Sequence, residues 1–129
     1  MLLGVEENNP YLRLYDTMGK RRTPLSVGAD GPSLLMYDGS GNERAGWFLT
    51  PDGSSLQMYG ADEKVRFSLG EMPDGTASLS LFDAHEKSRA GLVLLNDGRP
   101  SFQLLDENEK PIWTAPPGLA VTPSNTTNQ

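Results

Sequence analysis

Cysteine is absent from this chain of 129 residues, and His85 is its only histidine. The lack of thiols excludes disulfide bonds and thiolate metal sites. One histidine without a second metal ligand or a plausible nucleophile forms neither a metal set nor a catalytic triad, so we predict that His85 is an ordinary turn residue. We therefore expect a non-enzymatic protein with no catalytic residue, no metal and no cofactor.

Positive charge and long apolar runs are also scarce. Eleven basic side chains stand against 17 acidic ones, which gives a formal net charge of −6. Proteins that bind nucleic acid need clustered cationic side chains to neutralise phosphates, so we expect no nucleic-acid partner. No apolar run approaches the roughly 20 residues of a membrane helix, so we expect no direct membrane insertion of this segment.

The chain does contain an internal repeat. Each copy runs x-L-x-L-aromatic-D, then a short polar linker, then x-R-x-x-apolar-x-apolar, and ends in an Asp-Gly turn. The copies span residues 10–31, 32–53, 54–75 and 76–98, between a half repeat at 1–9 and an altered copy at 99–117. Units of 22 or 23 residues are too small to fold alone and bury apolar surface against their neighbours. We predict one repeat domain over residues 1–117 and a tail over 118–129.

Each copy predicts two β-strands. Apolar residues recur two positions apart, as in Leu12 and Leu14 or Leu25 and Val27, which is the periodicity of a strand. No copy has the ten or more residues that helical periodicity requires. We predict an all-β fold, an antiparallel meander of 10 or 11 short strands built from about five hairpin repeats.

The turns carry their own signals. Asp-Gly between alternating apolar runs indicates a hairpin, with the glycine at positive φ. The glycines expected at positive φ are Gly31, Gly53, Gly75 and Gly98. The last two Asp-Gly turns hold one extra residue each, so we expect bulges near Thr76 and Arg99 that keep the apolar positions on one face.

The register follows if apolar residues pair with apolar residues. We expect Val27 to face Leu34, and Leu49 to face Leu56, across turns with an even number of loop residues. Leu, Met and Val side chains, together with Trp47, then share one face of the sheet.

The other face should carry an aromatic column and an arginine column, because an Arg recurs six residues after the D position. A guanidinium over the ring of its own hairpin is worth about 0.5 to 1 kcal/mol at an exposed site. We expect these columns to form a ladder that covers the outer face, and the alternative is a groove for glycans or other anions. The candidate ligand-binding residues are Tyr15, Arg22, Tyr37, Arg44, Tyr59, Arg66, Phe82 and Arg89.

The apolar face needs a cover. Eleven strands about 4.8 Å apart make a sheet roughly 50 Å wide, and no helix is predicted that could pack on it. Either the meander closes into a barrel around this face, or copies of the chain pack their apolar faces together in a β-prism-like oligomer. We favour self-association, as a homotrimer. The stripe that must be buried is Leu14, Leu25, Met36, Trp47, Met58, Leu69, Leu81 and Leu92.

Both ends of the repeat array are atypical. The chain opens in mid-repeat, so we expect it to be the C-terminal part of a longer protein. In the last copy Ile112 replaces the recurring Arg and Pro111 removes a ladder donor, which is typical of a capping repeat. We expect residues 119–121 to be an ordered clasp and the rest of the tail to be disordered.

The segments 30–38 (DGPSLLMYD) and 41–46 (GNERAG) resemble repeats of uncharacterised bacterial β-hairpin-repeat proteins, in which D-G-x-P-x-L-x-L-x-D alternates with G-K-x-R-x-x-L. The resemblance covers residues 2–114 and departs from the pattern at Gly60, where the Asp is missing, and at Ile112. It implies a β-repeat module without catalytic residues, often preceded by a membrane helix or a coiled coil.

These patterns together predict a structural or adhesive β-repeat module. The alternative is a glycan- or anion-binding module that uses the aromatic and arginine columns, with a carbohydrate as its partner. The sequence leaves the location open and slightly favours the cell surface or the extracellular space over the cytoplasm.

Overall fold

The computed structural model describes residues 1–118, and in that range it contains eleven β-strands and no helix. The strands are β1 (Leu2–Glu6), β2 (Asn9–Tyr15), β3 (Arg21–Gly28), β4 (Gly31–Tyr37), β5 (Glu43–Thr50), β6 (Gly53–Tyr59), β7 (Val65–Glu71), β8 (Ala77–Phe82), β9 (Ser88–Leu94), β10 (Pro100–Leu105) and β11 (Pro111–Ala115). They form one antiparallel sheet in chain order from β1 to β11. The prediction of an all-β meander is confirmed. Because β1 and β11 are opposite edges, the sheet is not closed.

The register differs from the expected one by two residues. Leu25 pairs with Leu34, and Val27 pairs with Pro32 instead of Leu34. The turn between β3 and β4 has only two loop residues, 29 and 30, and this tight closure sets Gly28 opposite Gly31. A slip of two residues leaves every side chain on its expected face, because the strand period is two.

The same correction applies to the next Asp-Gly turn. Leu49 pairs with Ser54, and the expected partner Leu56 pairs with Trp47. The expectation that both turns contain an even number of loop residues is confirmed, since Thr50 lies opposite Gly53. The expected even number of loop residues is therefore correct, but the two expected residue pairs are wrong.

The turn glycines behave as predicted. Gly31, Gly53, Gly75 and Gly98 have φ of 128°, 124°, 86° and 84°. In the longer turn after β7, the backbone N–H of Met72 donates to the carbonyl of Thr76, which encloses a three-residue loop with Gly75 in the left-handed region. A type I turn followed by a left-handed residue is a bulged hairpin connection. This turn accommodates the extra residue by itself. The register of β7 with β8, and that of β9 with β10, shows no shift, so the bulges expected in the ladder near Thr76 and Arg99 are not found.

Apolar rows cross the sheet on one face, which we call the Leu face. Its central row is Leu12, Leu25, Leu34, Trp47, Leu56, Leu69, Leu79, Leu92 and Phe102. Contacts between strands join only sequential neighbours, so no second layer formed by residues 1–118 packs on this face. The predicted stripe is accordingly exposed in the single chain, with fractions between 41% at Leu14 and 61% at Trp47.

The opposite face carries small residues, and we call it the Ser/Gly face. One of its rows is Ser26, Ser33, Phe48, Ser55, Gly70, Ser78, Val93 and Ser101. Larger side chains lean over the small ones. Ring atoms of Phe48 lie 2.5 Å from where a Cβ at Gly46 would stand, and Leu35 Cδ2 lies 3.1 Å from it. The face with the smaller side chains is thus the more buried one.

The last strand ends as the sequence predicted. β11 stops at Ala115, immediately before the two prolines at 116 and 117. Ile112, which replaces the recurring Arg, is 68% exposed. The clasp expected at residues 119–121, and the rest of the tail beyond Gly118, lie outside the described residues.

Candidate functional site

Acidic side chains organise the turns at one end of the sheet, which we call the linker turns. Asp16 begins the first of them, and its Oδ1 accepts hydrogen bonds of 2.9 Å from the backbone N–H groups of Met18 and Lys20. Asp38 Oδ1 accepts from three backbone N–H groups of its turn in the same way. A short acceptor at the first position can reach donors two to four residues ahead, which is why Asp favours such turns.

The second carboxylate oxygen of each turn faces the recurring arginine. Arg22 Nη2 lies 2.5 Å from Asp16 Oδ2, and Arg89 Nε lies 2.9 Å from Asp83 Oδ2. Arg44 is more distant from Asp38, at 3.4 Å. In the third turn, where Gly60 replaces the Asp, Asp62 takes over and lies 2.7 Å from Arg66 Nη2. One carboxylate therefore shapes the turn and holds the arginine at once.

Arg22, Arg44 and Arg66 also reach the next repeat. Arg22 Nη1 donates to the carbonyl oxygen of Asp38, and Arg66 Nη1 donates to that of Asp83 at 2.9 Å. Arg44 Nε donates to the carbonyl of Tyr59 at 3.1 Å. We call this chain of carboxylates, guanidinium groups and carbonyls the Asp–Arg ladder. It joins consecutive linker turns across a spacing of one repeat.

The expected stacking of each arginine on the aromatic ring of its own hairpin is wrong. The guanidinium–ring contacts in the described residues are Arg13 over Tyr11, at 3.8 Å from the ring centroid, and Arg21 over Tyr37, at 5.3 Å. A bulge between Leu14 and Tyr15 sets Tyr15 opposite Arg21. Arg22 is the extra residue of this bulge, and it pairs with the carboxylate of its turn instead.

The signal for the ladder was present in the sequence. The D position and the R position recur together with a constant separation of six residues, as in Asp16 and Arg22. Where Gly60 removes the Asp, Asp62 stands two residues later, and in the last copy Ile112 removes the Arg. The sequence analysis paired the Arg with the aromatic column and missed the Asp as its partner. The carboxylate is a stronger partner for the arginine than the aromatic ring, because the pair is charged. The same carboxylate also accepts hydrogen bonds from backbone N–H groups of the turn.

The electrostatics of the ladder agree with its contacts. The backbone N–H of Lys20 holds the pKa of the Asp16 carboxyl below its ordinary value against a smaller effect of desolvation, and Arg22 lowers it further. All four candidate arginines have a carboxylate partner within 3.4 Å. Their charge is thus already compensated where an anion would have to bind.

The candidate aromatic residues differ in exposure and in their contacts. Tyr15 is 37% exposed, while Tyr37 and Phe82 are half-buried. The Tyr59 hydroxyl donates to Gln57 Oε1 at 2.7 Å, and burial followed by the nearby Glu43 raises the Tyr59 pKa. Of the eight candidates, Tyr59 lines the cleft that is described next.

This cleft lies on the Ser/Gly face beside the turns at 29–30 and 51–52, and its volume is about 510 Å³. Its polar lining comes from strand residues of the Ser/Gly face and from the two turns. The lining residues are Ser26, Gly28, Ala29, Asp30, Gly31, Pro32, Ser33, Phe48, Leu49, Thr50, Pro51, Asp52, Ser55, Gln57 and Tyr59. The sequence analysis missed this cleft, because the serines alternate with apolar residues and resembled an ordinary solvent-exposed face of a strand.

No group of three or more metal-ligating side chains forms within residues 1–118. His85 is exposed in a linker turn. In the same part of the chain, no helix has the length and apolar character that a membrane span requires. No protein-family profile matches this sequence, and no curated protein matches it either.

Proposed function

We propose that this protein is a non-enzymatic structural or adhesive β-repeat module that assembles with copies of itself through the Leu face. The observation that supports this proposal is the exposure of the apolar stripe, whose side chains are 41% to 61% accessible in the single chain. Soluble monomers seldom expose contiguous apolar patches beyond a few hundred Å². A one-layer sheet gains a core only by covering such a face.

Charge supports the same assignment. Among the described strand residues that the register places on the Leu face, Glu71 is the charged one, opposite Ser54 and Ala77. The charges of the Asp–Arg ladder lie at the linker turns. Protein interfaces exclude charged residues from their centres, so this face has the composition of an interface centre.

The size of the face suits a second copy of this chain. Eleven strands about 4.8 Å apart, with three rows of side chains along each strand, give an area of roughly 50 Å by 17 Å. That is close to the roughly 800 Å² that each partner contributes to a stable interface. Identical faces meet under closed symmetry, and a homotrimeric prism would enclose all three.

Tryptophan fluorescence combined with light scattering tests this proposal. Both tryptophans, Trp47 at 61% and Trp113 at 49% exposure, lie on the Leu face. We expect a multi-chain mass, with emission that shifts to the red on dilution as the indoles become hydrated. A folded monomer at every concentration, with the red-shifted emission of exposed indole throughout, contradicts the proposal.

A matched pair of variants locates the interface. Met58 is 46% exposed at the centre of the stripe, so Met58→Asp should leave each chain folded and reduce the mass to that of a monomer. Ser40→Asp adds the same charge in an exposed linker turn and should leave the assembly intact. Equal masses for the two variants would place any interface elsewhere.

A further inference from the structure

The cleft on the Ser/Gly face is unrelated to the assembly surface, because the two lie on opposite sides of one sheet. Ser33, Phe48 and Ser55 pair side by side in the row that crosses β4, β5 and β6, and all three line the cleft. A volume of about 510 Å³ lies within the range of small-molecule sites, roughly 300 to 1,000 Å³. Its position leaves the cleft accessible after the Leu faces have assembled.

The lining has a specific chemistry. It contains no Lys, Arg or His, and its two ionisable carboxylates are Asp30 and Asp52 in the flanking turns. Negative charge at the mouth repels anions. The ligand that fits this lining is therefore not an acidic sugar or a phosphate, which separates the cleft from the arginine column at the linker turns.

The polar groups of the cleft both donate and accept. Ser26 Oγ and Ser33 Oγ lie 3.2 Å apart, and the Gln57 amide accepts from Tyr59 while its N–H₂ remains a donor group. Hydroxyl and amide groups of this kind complement ligand hydroxyls, which also donate and accept. The carboxylates of Asp30 and Asp52 add strong acceptors for such hydroxyls.

Phe48 provides the apolar surface between these groups. Gly46 makes this arrangement possible, since its missing side chain leaves room for the ring edge of Phe48 to lie along the strand. The cleft also continues over Thr50, Asp52 and Ser55 into a smaller depression of about 40 Å³ beside β7. Polar groups around one ring, in a depression that crosses several strands, suit a ligand with alternating hydroxyl and C–H surfaces.

We propose that this cleft binds a neutral oligosaccharide, with Phe48 as the stacking surface and Ser33, Ser55 and Gln57 as hydrogen-bonding residues. The proposal stands apart from self-assembly, because binding needs only one chain. It differs from binding at the aromatic and arginine columns both in place and in ligand charge.

Titration calorimetry and amide chemical-shift mapping test it on the intact chain. The probes are maltopentaose, cellopentaose, xylopentaose and chitopentaose, with pentagalacturonate as the anionic comparison. We expect saturable binding of at least one neutral probe, with shifts at Gly31, Ser33 and Ser55, and weaker binding of pentagalacturonate. If all neutral probes fail to bind, or if the anionic probe binds best, the proposal is overturned.

Two aromatic variants then discriminate the cleft from the columns. Phe48→Ala should weaken binding by about tenfold or more, as expected for an aromatic anchor. Phe82→Ala removes a ring that lies outside the cleft and should leave the affinity unchanged. Gln57→Leu keeps the side-chain volume and removes the amide, so weaker binding with an unchanged melting temperature gives an independent test. Unchanged affinity in both Phe48→Ala and Gln57→Leu refutes the proposal.

Discussion

Arg22 donates a hydrogen bond to the carbonyl oxygen of Asp38, the residue that begins the linker turn of the following repeat. The same guanidinium holds the Asp16 carboxylate of its own turn. One side chain thus couples a turn to its neighbour 22 residues later. Solenoid stability depends on such nearest-neighbour terms, and in a sheet with a single layer these polar contacts supplement the backbone ladder.

Removal of this arginine should destabilise the fold more than removal of an arginine outside the ladder. We expect Arg22→Met to lower the free energy of unfolding by about 1 kcal/mol, because a hydrogen bond to the next repeat is lost. Arg99 is 61% exposed and pairs with Asp97 of its own turn, so Arg99→Met should have little effect. Urea denaturation of both variants measures the difference, and similar midpoints would argue against a coupling role for Arg22.

Glycine should be needed for two separate reasons at Gly53. Its φ is 124°, and a Cβ there would collide with the carbonyl oxygen of Glu71. Gly98 has a φ of 84°, and apart from its own atoms and its two chain neighbours no atom lies within 4 Å of where its Cβ would stand. We expect Gly98→Ala to cost about 1 kcal/mol for the backbone conformation alone, and Gly53→Ala or Gly53→Val to cost more. Thermal unfolding ranks the stability of these variants. If Gly53→Ala loses no more stability than Gly98→Ala, the contact of the new Cβ with the Glu71 carbonyl adds no cost, and the prediction is wrong.

The third linker turn departs from the pattern, and the departure can be reversed. A Cβ at Gly60 would stand 2.5 Å from Asp62 Oδ1, so the Asp62 carboxylate occupies the space of the missing Asp. Asp62 accepts one backbone hydrogen bond, from Lys64 at 3.4 Å, where Asp38 accepts three. We expect Gly60→Asp alone to be destabilising, and Gly60→Asp combined with Asp62→Ser to melt above the wild type. Scanning calorimetry measures the three melting temperatures, and a double variant that melts at or below the wild type would contradict this prediction.

Stability should fall in acid. Seven turn carboxyls have pKa values below their ordinary range: Asp16, Asp38, Asp62, Asp83, Asp97, Asp106 and Glu109. Since the folded state favours their ionised form, their contribution is fully present above about pH 4, the pKa of an unfolded Asp, and is lost as the pH falls through the folded-state values. Glu43 opposes this trend, because burial raises its pKa, but it is one group against seven. Urea unfolding midpoints between pH 6 and pH 2 measure how stability changes with pH. A midpoint that stays constant or rises on acidification would refute the predicted loss of stability.

Local features of this fold were predictable from short stretches of sequence. Alternation around Leu12 and Leu14 indicated strands, and Asp-Gly pairs indicated hairpins with positive φ at Gly31 and Gly53. Both signals are local, because side-chain period and turn conformation depend on a few adjacent residues. The exact pairing was less accessible, since Val27 facing Pro32 or Leu34 preserves the same hydrophobic face.

The repeat alone determined that this chain is an antiparallel β-meander with one apolar face, because a 22-residue period with strand-like alternation allows little else. Only the tertiary structure decided which groups the recurring arginines contact. Arg22 contacts Asp38 only because two consecutive hairpins lie side by side in the sheet. The cleft at Phe48 exists only because Ser33, Gly46 and Ser55 lie on three adjacent strands. Such contacts join residues distant in the chain, so their geometry depends on how the whole sheet aligns its strands.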